Sequence, residues 1–202
     1  MSGAEGLSVI PVVPELDDGT VRLRALRPQD LPQLVAICRD EAAVRWTTVP
    51  PDYTEQDGQA YIREMVPEGW RTGERLVFAA ADTATDTLQG TVGLHAFRAG
   101  TAEAGLNFGP AARGTGLPER AARLLLEYAF DQLNLQYLYW QALVPNWASR
   151  KLAWKLGFRF DAELRGFAND RGASADLWML SLAAGDPRSP RMPWDGPSAG
   201  QS

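Results

Sequence analysis

A glycine turn that opens directly into a helix constrains this chain more than any other stretch. It runs Gly109-Pro110-Ala111-Ala112-Arg113-Gly114-Thr115-Gly116-Leu117-Pro118-Glu119-Arg120 and continues into the apolar helical run Ala121–Phe130. Glycines permit a turn whose backbone N–H groups point into one concavity, and the helix that follows adds its positive N-terminal end. Such a nest suits a phosphate or pyrophosphate, and so points to a phosphate-bearing cofactor. The plainer alternative is a strand-to-helix connection in which the glycines serve only the turn. Arg113 weighs against that alternative, because it adds a cation with no acidic residue nearby in sequence.

Two common phosphate folds do not fit. A Walker loop needs a Lys after its last glycine, and Leu117 stands there. A dinucleotide fingerprint needs a third glycine where Glu119 stands, and the turn lies mid-chain after a series of strands.

The rest of the chain reads as one domain. With 202 residues and 45% hydrophobic content it can bury a full-sized core. Val21–Leu26 alternates like a half-buried strand, and Pro28 and Asp30 open a helix carrying Leu31, Leu34, Val35 and Cys38. A second helix starts near Thr54-Glu55 and is expected to break around Pro67. Strands follow at 75–80, 88–95 and 102–108, then the turn helix at about 117–133 and an apolar, central strand at 137–144. A short helix over 147–156 ends at Gly157, and strands near 158–167 and 175–182 complete the pattern. This order predicts an α/β (α+β) domain over 18–184, with a central mixed sheet of six to seven strands and helices on both faces. Residues 1–17 read as an N-terminal tail, and the Pro- and Gly-rich 185–202 as a disordered C-terminal tail.

Net charge −5 and a pI near 5.0 argue against nucleic acid or an anionic membrane as the main partner. The chain shows neither a secretory leader nor an apolar run of about 20 residues, so a soluble, cytoplasmic protein is expected. Cys38, the one cysteine, lies in an apolar helical stretch and reads as a buried structural thiol. One Cys and one His cannot build a Cys/His zinc site, so no structural metal is expected.

Arg113-Gly114-Thr115-Gly116-Leu117 with the following Leu-rich helix resembles the acyl-CoA pyrophosphate loop of the GNAT N-acetyltransferases. Asn146-Trp147-Ala148-Ser149 with Gly157-Phe158 resembles the Asn-x-x-Ser…Gly-Phe pattern of that superfamily's RimJ/RimL-like branch. Residues 88–95 and 102–105 resemble the branch's third and fourth strands, so the likeness spans about 20–185. The resemblance implies acetyl-CoA, or another acyl-CoA, as co-substrate. It implies a primary amine as acceptor, on a protein N-terminus, a lysine or a small molecule. The cofactor would be held by Asn107, Phe108, Arg113, Gly114, Thr115, Gly116, Leu117, Asn146 and Ser149.

Amine acylation needs a proton acceptor for the amine and a proton donor for the departing thiolate. Glu103, on the strand before the turn, is the candidate base; a solvent-facing strand carboxylate is the alternative. Ser149 is the candidate donor by resemblance, since Ala153 stands where many relatives carry an acidic Tyr; first-turn capping is its alternative. His95, Trp46 and Tyr53 are expected at the acceptor side, against packing roles for each. Pro118 replaces a Gly or Ala of the family pattern and removes one N–H donor from the loop. An idle acyl-CoA-binding module and a nucleotide-binding protein are the rival functions. Oligomeric state stays open, a homodimer included.

Overall fold

A computed structural model describes residues 12–197. The chain opens with β1 (Leu16–Asp17) and β2 (Val21–Arg24), then a 3₁₀ turn leading into α1 (Leu31–Arg39) and α2 (Glu41–Trp46). Next come α3 (Glu55–Ala60), a π-helical turn over Tyr61–Met65, and α4 (Val66–Thr72). The centre is β3 (Arg75–Asp82), β4 (Leu88–Arg98), β5 (Thr101–Phe108), α5 (Leu117–Glu127) and β6 (Tyr137–Leu143). The described chain closes with α6 (Trp147–Lys155), β7 (Arg159–Asp170) and β8 (Ala173–Ala183).

The strands form one sheet of eight in the order β1-β2-β3-β4-β5-β6-β8-β7. The expected six or seven strands are therefore corrected to eight. The addition is β1, which falls within the expected N-terminal tail and is two residues long, too short for alternation to register. Residues 1–11 lie outside the described chain. All neighbouring strands are antiparallel except β5 and β6.

Alternate β3 residues feed opposite faces, as strand geometry requires. Phe78 and Ala80 join α5, β6 and β8 residues such as Leu125, Trp140 and Leu180 in the main core. Ala79 joins Leu34, Val35, Ile37 and Cys38 of α1, with Tyr53 and Ile62, in a second cluster. Cys38 is buried, as its apolar setting predicts, and burial pushes its thiol up to about 11.

Two local differences have simple causes. The helix does not end at Pro67, because the π turn before it shifts the ladder and Val66 N–H bonds Tyr61 C=O instead. Helix α2 is short and went unseen in the sequence, yet Asp40 caps it by accepting from the amides of Ala42 and Ala43. The segment 185–197, expected to be disordered, instead packs along α6 through Trp194, Asp195 and the Met192 carbonyl; residues 198–202 lie outside the described chain.

Candidate active site

The parallel strands β5 and β6 pair over only four positions, Thr101 with Tyr137 through Ala104 with Trp140. Beyond that point they part. Gly105–Phe108 continue on β4 alone, and Gln141–Leu143 on β8 alone. The facing edges of this fork carry backbone N–H and C=O groups with no strand partner, a place where an extended ligand can add hydrogen bonds.

The glycine turn follows at the open end of the fork. Gly114 and Gly116 have φ of +77° and +85°, which L side chains rarely adopt, and open space lies where each would carry a Cβ. Their N–H groups have no partner among the described residues, whereas the Thr115 amide bonds Ala112 C=O at 3.3 Å and the Leu117 amide bonds Thr115 Oγ1 at 3.3 Å. Two of the four amides expected to face a phosphate are thus already engaged within the turn. The sequence showed no acidic neighbour for Arg113, but the fold supplies one. Its guanidinium donates to Asp40, the α2 cap, and to Phe108 C=O at 3.1 Å. These residues fit a pyrophosphate through the two free amides, the start of α5 and the Arg113 cation.

Glu103 stands at the closed end of the fork. Its register neighbours make a polar row across one sheet face: Arg75, His95, Glu103, Tyr139, Ser181 and Arg159, from six adjacent strands. Gln141, just past the last β5–β6 pair, donates from Nε2 to Glu103 Oε2 at 2.8 Å and so spans the gap by side chain. His95 Nε2 lies 3.9 Å from Glu103 Oε1. Burial raises the Glu103 carboxyl to about 7, and burial, helped by Arg75, lowers the His95 pKa. Near neutrality this is a carboxyl poised to exchange a proton beside a neutral imidazole.

On the other arm, Asn146 caps α6, its Oδ1 accepting from the Ser149 amide at 3.1 Å. Ser149 Oγ accepts from Trp140 Nε1 at 2.9 Å, which leaves its own O–H free to donate.

A family model described as an acetyltransferase (GNAT) domain matches residues 20–159. The chain belongs to the GNAT acetyltransferase family. It is 26% identical over 162 residues to the uncharacterized N-acetyltransferase p20 of Bacillus licheniformis, covering 79% of this chain and 90% of that one. The fold also matches the ribosomal-protein-S5-alanine acetyltransferase of Vibrio fischeri, with TM-score 0.71 and 18% identity over 85% of this chain and 97% of that one. The microcin C7 self-immunity acetyltransferase MccE, solved with acetyl-CoA and AMP, aligns with TM-score 0.75 and 17% identity, covering 82% and 93%.

Within this GNAT domain the expected residues divide between fork and core. Asn107 and Phe108 lie on the unpaired arm of β5, with Asn107 half-buried on the Glu103 face and Phe108 in the main core. Tyr53 is buried in the second core cluster together with Cys38, so the structure places it in packing rather than on an open cleft. Trp46 is half-buried at the end of α2, with the Arg45 guanidinium 4.5 Å over its ring. The loop after Trp46 is tied to the far arm of the sheet by Arg171, at the tip of the β7–β8 hairpin, which donates to the carbonyls of Val44, Thr47 and Val49. Sequence reading missed Gln141, Arg171 and Asp40. Gln141 left a signal, being the lone amide in an otherwise apolar strand; the other two show only in three dimensions. Ala153 is fully buried, so no side-chain acid reaches the fork from that position of the GNAT pattern. Among the described residues no group of three or more His, Cys, Asp or Glu side chains could hold a metal ion, and no helix is long and apolar enough to cross a membrane.

Pro118 occupies the second position of α5, where a helix amide is otherwise free to face an anion. Pro118→Ala is expected to tighten CoA binding by about ten-fold, the worth of one hydrogen bond to a charged group. Calorimetry checks this, and an equal or weaker affinity would show that the missing amide is irrelevant.

Proposed function

We propose that this GNAT protein moves an acetyl group from acetyl-CoA onto a primary amine by direct transfer in a ternary complex, as a member of the RimJ/RimL-like branch. The observation that carries the reading is the fork. It sets a half-buried carboxyl at its closed end, a capped serine on one arm and a glycine nest beyond the other. Bound acetyl-CoA supplies an activated thioester carbonyl. The nest and Arg113 hold the pyrophosphate, and the unpaired β5 edge at Asn107 and Phe108 aligns the pantetheine arm. Glu103, directly or through a water, accepts the proton that the amine loses as its nitrogen bonds the acyl carbon. Ser149 donates a proton to the sulfur as the carbon–sulfur bond breaks. His95, Tyr139 and Trp46 border the acceptor.

The height of the Glu103 pKa bears on the acceptor. A base near 7 is within about one unit of an α-amine at roughly 7.7–8.0 but over three units below a lysine amine at about 10.4. This supports a protein or peptide N-terminus as the acceptor, in keeping with the alanine acetyltransferase name of the Vibrio fischeri neighbour. Thiol release from acetyl-CoA, followed with Ala- and Ser-ending peptides, an N-terminally blocked lysine peptide and spermidine, tests both points. The free α-amines are expected to turn over fastest. CoA binding without turnover of any amine would leave only the idle binding module.

The hydrogen bond from Gln141 favours the ionised form of Glu103. Gln141→Leu is therefore expected to move the acidic limb of the pH–rate profile to higher pH while leaving CoA affinity unchanged. An unmoved limb would show that Gln141 does not tune the base.

A further inference from the structure

Helix α6 carries Asn146 and Ser149 to the fork but buries few side chains of its own: only Arg150 and Ala153. Beyond the core contacts of Ala153, Trp147 and Leu152, the helix is held by the segment after β8. Its Pro187 carbonyl passes 2.2 Å from where a Gly157 Cβ would lie, so that position must be glycine for this reason as well as for its φ of +93°. Arg123 of α5 bonds the Arg188 carbonyl at 2.8 Å, and Trp154 Nε1 bonds the Met192 carbonyl at 2.8 Å. The Trp194 ring lies 6.0 Å from Trp147 and 5.5 Å from Trp154. Asp195 bonds Arg150 at 2.7 Å.

Trp147, Arg150 and Trp154 are spaced to lie along one face of α6, and the segment covers that face. Arg150, next to Ser149 in sequence, is the centre of the contact. Its side chain is 7% exposed, with the guanidinium caged by Trp147, Phe160, Trp178 and Trp194 at 4.4–5.9 Å and paired with Asp195, itself 65% exposed. A buried cation stays put only while its cage and counter-charge are complete, and Trp194 and Asp195 complete both.

We propose that Trp194 and Asp195 are positioning residues of the transfer site: by locking Arg150 they fix the first turn of α6, and with it the reach of Ser149 Oγ toward the thiol sulfur of bound CoA. This rests on the acyl-CoA reading above. The test compares full-length wild type with Trp194→Ala, Asp195→Asn, Asp195→Glu and Ser149→Ala, measuring dissociation constants for CoA and for desulfo-CoA by calorimetry. Wild type is expected to prefer CoA by about two- to ten-fold, the range of one net hydrogen bond. Ser149→Ala should abolish that preference. Trp194→Ala and Asp195→Asn should shrink it toward one, and Asp195→Glu should restore it. Adding Trp194→Ala to Ser149→Ala should change the ratio no further.

A Trp194→Ala protein that binds both ligands more weakly but keeps the ratio would show a merely structural strap and overturn the proposal. So would an unchanged ratio in Asp195→Asn, which serves should Trp194→Ala fail to fold. Equal binding of the two ligands by wild type would overturn the Ser149 role and the strap role together. No binding of either ligand would overturn the acyl-CoA reading itself.

Discussion

Glu103→Gln is expected to lower the rate of amine acetylation by about 10²–10⁴-fold while leaving CoA affinity close to wild type. The amide keeps the size of the side chain and can still bond Gln141, but it cannot take the proton from the attacking amine. Wild type should show a rate that climbs with pH through about 7, where the half-buried carboxyl ionises, and the variant should lose that limb. Stability should move the other way. Burial raises the carboxyl from 4.5 to about 7, so between those values the folded protein holds a proton that the unfolded chain has released. Wild-type stability therefore falls as pH rises through that window. The variant escapes this cost, and at pH 8 it should melt higher than wild type, the gap closing as pH drops toward 4.5. Steady-state rates across pH 6–9, with melting curves at pH 5 and 8, check both parts. A variant within three-fold of wild type in rate would remove Glu103 from the base role.

Gly116→Asp should weaken CoA binding at least 100-fold while costing about 1–2 kcal/mol of stability through backbone strain. Gly116 precedes α5 with φ +85°, a conformation that Asp tolerates better than most residues, and nothing lies within 4 Å of its would-be Cβ. The side chain meets no clash, and the strain falls on the backbone alone. The ligand cannot accept it, because a carboxylate would stand beside the two free amides and compete for the same positive field. Gly116→Asn, equal in shape but uncharged, separates charge from strain and should bind CoA at least ten-fold better than the aspartate variant. Calorimetry on the pair decides it. Wild-type affinity in Gly116→Asp would mean that the turn does not receive a phosphate.

Much of this site was legible because its signals are local. The turn glycines, the Asn146 cap and Gly157 each act within a few residues of their own position, and the spacing of apolar residues gave the strand and helix order. The unseen parts join residues far apart. Arg113 finds Asp40 from 73 positions away, Gln141 finds Glu103 from 38, and Arg171 reaches back across more than 120. No periodicity reports such pairs, since they depend on which strands lie side by side. Tyr53, expected at the acceptor side against a packing role, takes the packing role, its ring filling the second core. The last described segment was misjudged on its prolines. Composition counts them against order, yet Trp194 gave it enough apolar surface to pack against Trp147 and Trp154.

Because only four residue pairs join β5 to β6, the sheet is two plates sharing a narrow seam. Glu103 and the glycine turn belong to one plate, and Gln141 and Ser149 to the other. The proposed chemistry is therefore assembled across a joint rather than mounted on one rigid surface. A molecule lying in the gap with its own amides on both edges would act as the missing strand, completing the ladder and setting acid against base in a single step.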